Sequence, residues 1–253
     1  MQVDASHVPL ARMVIVFCAL LILGLCLTLP LFKFKWRKFM KSSLFVKILF
    51  WIPIFLVFVA SLYMANSGRL AVLIALISAV LIEQYIVASN HNKHRRLIAA
   101  YFVIYYFALL HFMLIEVYYA DYFINLMVTL AFASVLADVV AFFLGNYFGR
   151  HKLPDALNNK KSWEGVFGQF LGAFLGVVLV NAFIVPVVSV WLFLAIGLGT
   201  AAGDLTNSYI KRKVGIKDWS KAIPGHGGFT DRLCSLAGSA VFMYYFLNVT
   251  GVL

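Results

Sequence analysis

What most constrains this chain is that its apolar residues come in long blocks. A helix needs roughly 20 mostly apolar residues to cross a bilayer. Blocks of that length lie near residues 11–32, 44–64, 70–89, 97–119, 123–147, 165–185, 188–209 and 232–252, with short breaks between them. Charged residues make up 12% of the 253 positions, against about a quarter in a soluble domain. No soluble core could hide so many such blocks. The pattern therefore predicts an all-α polytopic membrane protein with about eight transmembrane helices. The first block could pass for a signal peptide, but it has only Arg12 ahead of its apolar core. It lacks a small-x-small cleavage site before the basic run that follows, so it reads as a span. No internal repeat is visible, which predicts a single transmembrane domain over residues 1–253.

Lysine and arginine outnumber aspartate and glutamate 21 to 10. In a soluble protein that excess would suggest nucleic acid; in a membrane protein it reports topology first. Lys33, Lys35, Arg37, Lys38 and Lys41 follow the first block, and Lys93, Arg95 and Arg96 the third. Arg150, Lys152, Lys160 and Lys161 follow the fifth, and Lys211, Arg212, Lys213, Lys217, Lys221 and Arg232 the seventh. The alternate connections carry almost no cations. This positive-inside pattern predicts cytoplasmic basic connections, both termini outside, and no nucleic-acid partner. Three cysteines without a CxxC pair indicate neither zinc nor a disulfide framework. Polar groups inside blocks are few up to about residue 130. They concentrate in the region of about 131–253, which reads as catalytic with two cytoplasmic motif loops.

Four places there carry chemistry. Asp138 lies inside the fifth block, one turn after Ser134. A carboxylate in a span costs about 2.5–3.5 kcal/mol on insertion scales, which makes it a functional candidate; an interhelical hydrogen bond is the structural alternative. Glu83 and Glu116 read as structural. In "NNKKSWEGVFG", residues 158–168, Asn159 or Ser162 can cap a helix whose free N–H groups, with Lys160 and Lys161, suit a phosphate. Glu164 there would bind a metal or orient a lysine. In "GLGTAAGDLTNSYIKRK", Gly199 and Gly203 permit close helix approach, and Asp204, Asn207, Ser208 and Lys211 share one helix face. Finally, "KDWSKAIPGHGGFTDRLCS" sets His226, Gly227 and Gly228 between Asp218 and Asp231, with Lys217, Lys221 and Arg232 nearby. A glycine-rich loop can turn backbone N–H groups toward an anion. Carboxylates beside cations suit Mg²⁺ with a polyphosphate.

At these residues the chain closely resembles the phosphatidate cytidylyltransferases, or CDP-diacylglycerol synthases. Their signature of S-x-x-K-R, K-D, P-G-H-G-G and D-R-x-D reads here "SYIKRKVGIKDWSKAIPGHGGFTDRLCS", residues 208–235, and their "SPKKTWEG" reads "NNKKSWEG". Asp138 to Gly145 resembles their intramembrane aspartate helix. The resemblance implies transfer of a cytidylyl group from CTP to phosphatidate at the cytoplasmic membrane face, in phospholipid biosynthesis. It implies Mg²⁺ on Asp204 and Asp231, with a second cation as an option. Asp218, Lys211 and His226 would join the catalytic set. Asp138, Lys160, Lys161, Glu164, Ser208, Arg212, Lys217, Gly227, Gly228 and Arg232 would bind substrate. A homodimer is the oligomer it implies, in the cytoplasmic membrane if the source is bacterial.

Two departures stand out. Cys234 replaces the last signature aspartate, and a neutral thiol is a poor Mg²⁺ ligand. Asn158 and Asn159 replace a Ser-Pro. The alternatives are a diverged paralogue acting on another lipid phosphate, a non-catalytic lipid binder, and an ion-coupled transporter using Asp138 and Asp204.

Overall fold

The computed structural model describes residues 10–154, 161–185 and 189–251. Among them, eight long helices account for the eight apolar blocks: α1 (Leu10–Thr28), α3 (Ser43–Leu62), α4 (Asn66–Asn90), α5 (Arg95–Tyr118), α6 (Phe123–Tyr147), α7 (Trp163–Phe183), α8 (Leu192–Val214) and α9 (Phe229–Thr250). A short basic helix, α2 (Trp36–Met40), joins α1 to α3. The protein is an all-α polytopic membrane protein. Seven of the long helices are apolar enough to cross a membrane. The eighth, α8, is long enough, but its last turns carry Asp204, Lys211, Arg212 and Lys213.

Helices α6 to α9 form the centre, held together by small residues. Gly168, Gly172 and Gly176 recur every four positions on α7 and meet Ala141, Ala137 and Ala133 of α6. A Cβ on Gly172 would fall 2.4 Å from the Leu136 carbonyl, and one on Gly176 2.4 Å from Ala133 Cα. The expected close approach at Gly199 and Gly203 is found too, and its partner is α9. Cβ atoms at these positions would fall 2.5 Å from Ser239 Cα and 2.1 Å from the Cys234 carbonyl. Lipid tails offer no hydrophobic drive for helix association, so backbone proximity of this kind supplies the packing contact.

Two apolar clusters flank this centre. One runs through α6, α7 and α9, with Leu126, Leu130, Val177, Val180 and Met243 buried. The other brings α4 and α5 against α8 and α9 through Val80, Ile98, Tyr105, Ile210 and Trp219. The second cluster matters for function, because it carries residues of the N-terminal half to the start of α9. At the other end of α4 and α5, Arg69 Nε donates to Glu116 at 2.7 Å. Glu116 is therefore an interhelical ion-pair partner, the structural role expected of it.

Gly172→Val inserts carbon atoms where backbone already stands. Overpacking of this kind costs about 1–3 kcal/mol. The variant should melt well below the wild type in detergent; equal melting temperatures would contradict the α6–α7 contact.

Candidate active site

α8 stops where Gly215 takes a left-handed conformation (φ 85°), its N–H and that of Ile216 both donating to the Lys211 carbonyl at 3.0 Å. Residues 216–228 then loop across the bundle end to α9. Within the loop a tight turn pairs Ile223 with Gly227, and Gly225 and Gly227 have φ of 74° and 84°. These glycines are needed because side-chain-bearing residues rarely adopt such angles.

The start of α9 is organised by two buried carboxylates. Asp231, in its first turn, accepts from Gly228 N at 3.0 Å, from Trp219 N at 2.8 Å and from Lys211 Nζ at 2.6 Å. Glu83, on α4, accepts from Phe229 N at 2.8 Å, Thr230 N at 2.9 Å and Ser220 Oγ at 2.6 Å. Negative charge at a helix N-terminus is favoured by its free N–H groups and its dipole. Glu83 is thus a cap supplied from 146 residues away. Gly228 is glycine because a Cβ there would lie 2.6 Å from both Glu83 oxygens.

The polar stripe of α8 is confirmed as one face, and its members take different partners. Asp204 forms an ion pair with Lys161 and accepts from Gln169 Nε2 at 3.2 Å. Lys211 binds Asp231. Asn207 is buried and accepts from Trp219 Nε1 at 2.7 Å and Tyr101 OH at 3.1 Å, so it holds the loop to α5 and α8. Ser208 is buried beside it.

A cavity of about 1070 Å³ opens beside this cluster. Its long wall is apolar, from α1, α3 and α6. Its polar end carries Asp138, Lys161, Asp204, His226, Asp231 and Arg232. Asp138 lies deep in the bundle, accepts from Ser235 Oγ at 3.2 Å, and faces the open cavity. Cys234 lines the cavity edge, and its Sγ donates to the Asp231 carbonyl at 3.4 Å. His226 packs edge-on against Trp51. Burial first, and then the Arg232 charge, bring its pKa down to about 4.

Several expected roles change. The N–H groups of His226, Gly227 and Gly228 are not free for an anion, because each already has a protein acceptor. His226 N and Gly227 N donate to the Ile223 carbonyl, and Gly228 N donates to Asp231. The start of α7 is likewise internally satisfied. Ser162 caps it through Gly165 N, and Trp163 N donates to the His151 carbonyl. Glu164 accepts from the backbone N–H groups of Arg150 and His151 and from the His151 ring, so it fastens the preceding loop. Lys211, Arg212, Lys217 and Asp218 stand outside the cavity lining; Arg212 caps its own helix end at the Ile216 carbonyl. Lys160, with Asn158 and Asn159, lies outside the described residues.

Sequence reasoning missed Lys47 and Lys152, which do line the cavity, and the capping role of Glu83. A buried glutamate in a span was the available signal for Glu83; its partner could not be read from spacing.

The profile of the cytidylyltransferase family matches residues 5–250. The chain belongs to that family. Among its relatives, the phosphatidate cytidylyltransferase of Haemophilus influenzae is 40% identical over 118 residues, 44% of this chain and 41% of that protein. That of Synechocystis is 40% identical over 129 residues, 49% of this chain and 44% of the relative. That of Mycobacterium tuberculosis is 36% identical over 120 residues, 46% of this chain and 37% of the relative. The matched segments thus span less than half of each of these relatives.

Glu83→Ala leaves the buried Thr230 N–H and the part-buried Phe229 N–H and Ser220 hydroxyl without their acceptor, and a buried group left unpaired costs about 1–3 kcal/mol. It should melt far below the wild type, while Glu83→Gln, which keeps one carbonyl oxygen, falls between them. An Ala variant that melts with the wild type would remove Glu83 as the cap.

His226 has a second consequence. Its folded pKa of about 4 lies below the ordinary 6.5, so the unfolded chain binds the extra proton. Stability from this group is complete above about pH 6.5 and is lost as pH falls toward 4. Between pH 7.5 and 5 the wild type should lose more thermal stability than His226→Gln; equal losses would contradict the buried neutral ring.

Proposed function

We propose that this protein transfers the cytidylyl group of CTP to phosphatidate at the cytoplasmic membrane face, giving CDP-diacylglycerol and pyrophosphate. The observation that carries this is the composition of one cavity: an apolar wall continuous with an end that holds three carboxylates, Lys161 and Arg232. A lipid phosphate needs both halves, and a nucleotide needs the polar half. At about 1070 Å³ the cavity matches the upper end of ordinary small-molecule pockets, roughly 300–1,000 Å³. Family membership and the names of the relatives point the same way.

The donor set fits Mg²⁺, which is usually held by one or two carboxylates together with substrate phosphates. Among the described residues, Asp204 Oδ1 has no hydrogen-bond donor and Asp231 Oδ1 accepts only from Lys211. These two residues would hold the ion, which when bound would neutralise phosphate charge.

The lipid phosphate oxygen forms the new bond to the α-phosphorus of CTP. The bond from that phosphorus to the α–β bridging oxygen breaks, and pyrophosphate leaves with the electron pair. The attacking oxygen is already ionised, so no strong base is required. The chain's task is to align the groups and offset charge. Lys161, held by Asp204, lines the cavity ready to pair with phosphate oxygens, and Arg232 faces the same space; Lys211, outside the lining, holds Asp231 in place. Asp138 and Ser235 set the polar floor. Arg212 and Lys217, outside the lining, contribute long-range attraction for a polyanion.

CDP-lipid formation from CTP and phosphatidate by the purified protein tests this. Asp204→Asn should lose about 10²–10³-fold in rate, the usual effect of removing one electrostatic contributor, and still melt like the wild type. Asp231→Asn should lose activity and stability together, since its carboxylate also holds Lys211, Trp219 and Gly228. No product from the wild type would sink the reading; an unimpaired Asp204→Asn would remove that residue from it.

A further inference from the structure

Lys47 lies near the start of α3, inside the second span. It is half-buried and lines the cavity near Trp51, at the junction of apolar wall and polar end. The glycine loop lies on it: a Cβ on Gly225 would stand 3.4 Å from Lys47 N and Cγ. Arg232, Lys217 and Asp218 are within electrostatic reach of its ammonium. Yet among the described residues neither Lys47 nor Arg232 has a hydrogen-bond or ion-pair partner, in contrast to Lys161 and Lys211, which each hold a carboxylate. Two unpaired cations facing one space, one of them half-buried, repel each other, and half-buried charge is favourable only when compensated. An anion between them relieves both costs. The wall beyond Lys47, from Ile48, Trp51 and Phe55 of α3 and Leu20, Gly24 and Leu27 of α1, is apolar.

We infer that Lys47, with Arg232, grips the phosphate monoester of the lipid substrate, and that the α1–α3 wall receives an acyl chain of that same molecule. Lys47 therefore selects the lipid rather than the nucleotide. This rests on the reading that the polar end handles a lipid phosphate. It adds which residue tells the two substrates apart, and that the N-terminal half supplies it.

Tryptophan fluorescence tests it without turnover. The full chain in detergent is titrated with phosphatidate brominated on its acyl chains, or with brominated phosphatidylcholine, which lacks the exposed monoester. Wild type should be quenched by the phosphatidate at lower mole fraction. Trp51→Phe should lose the largest share of that quenching, which would place the chain on the α1–α3 wall. Lys47→Ala should lose about tenfold of the headgroup preference, as expected for one charge-assisted contact, and Lys47→Arg should retain most of it. In the transfer assay Lys47→Ala should raise KM for phosphatidate about tenfold and leave KM for CTP unchanged. Wild-type quenching that ignores the headgroup, or a Lys47→Ala variant with unaltered preference, overturns the inference, as does a rise in KM for CTP instead. If the protein forms no CDP-lipid yet keeps a Lys47-dependent preference for phosphatidate, the transfer reaction fails and the lipid grip stands.

Discussion

The start of α9 is the point on which this protein depends. Three successive backbone N–H groups, of Gly228, Phe229 and Thr230, emerge there, two of them buried, and a buried donor left unpaired costs about 1–3 kcal/mol. Glu83 and Asp231 take all three. The same carboxylates reach Ser220, Trp219 and Lys211. One set of contacts therefore locates the last helix, closes the loop before it and fixes a cation at its edge. The site is a by-product of solving a capping problem in a chain that is 63% hydrophobic.

Glycine makes that solution geometrically available. The α8–α9 crossing brings Gly199 and Gly203 against the α9 backbone, and the α6–α7 ladder does the same one helix over. Close crossing sets Asp204 and Asp138 beside Asp231 around one cavity. Three carboxylates sharing such a space repel, and Lys161 and Lys211 offset two of them. Cys234 keeps a fourth carboxylate out of this cluster. It is a small, buried neutral group at the tight crossing, hydrogen-bonded to the Asp231 carbonyl.

Much of this was legible in the sequence where the signal is local. Block length gave the helices, since a span must be long and apolar. A four-residue spacing gave the close contact at Gly199 and Gly203, and a seven-residue spacing the shared face of Asp204 and Lys211. Ser162 reads as a cap and is one. What failed to show was pairing across distance. Nothing near Glu83 announces that it caps α9, and nothing near Lys47 announces that α3 forms a cavity wall. The loop misled for the opposite reason: its glycines suggest an anion nest, whereas their conformations serve a tight turn in which the His226, Gly227 and Gly228 N–H groups are used internally. The polar stripe of α8, likewise, is partly a structural seam, with Asn207 spent on Tyr101 and Trp219.

The central claim is that this cavity joins the α-phosphorus of a nucleotide to a lipid phosphate. Positional labelling tests it most directly. Purified protein is incubated with phosphatidate and CTP carrying ³²P at either the α or the γ position, and the lipid phase is extracted. Label from α-³²P-CTP should enter the lipid, and label from γ-³²P-CTP should remain in water as pyrophosphate. Label from the γ position in lipid would mean a kinase, and no label from either would mean that the cavity serves some other chemistry.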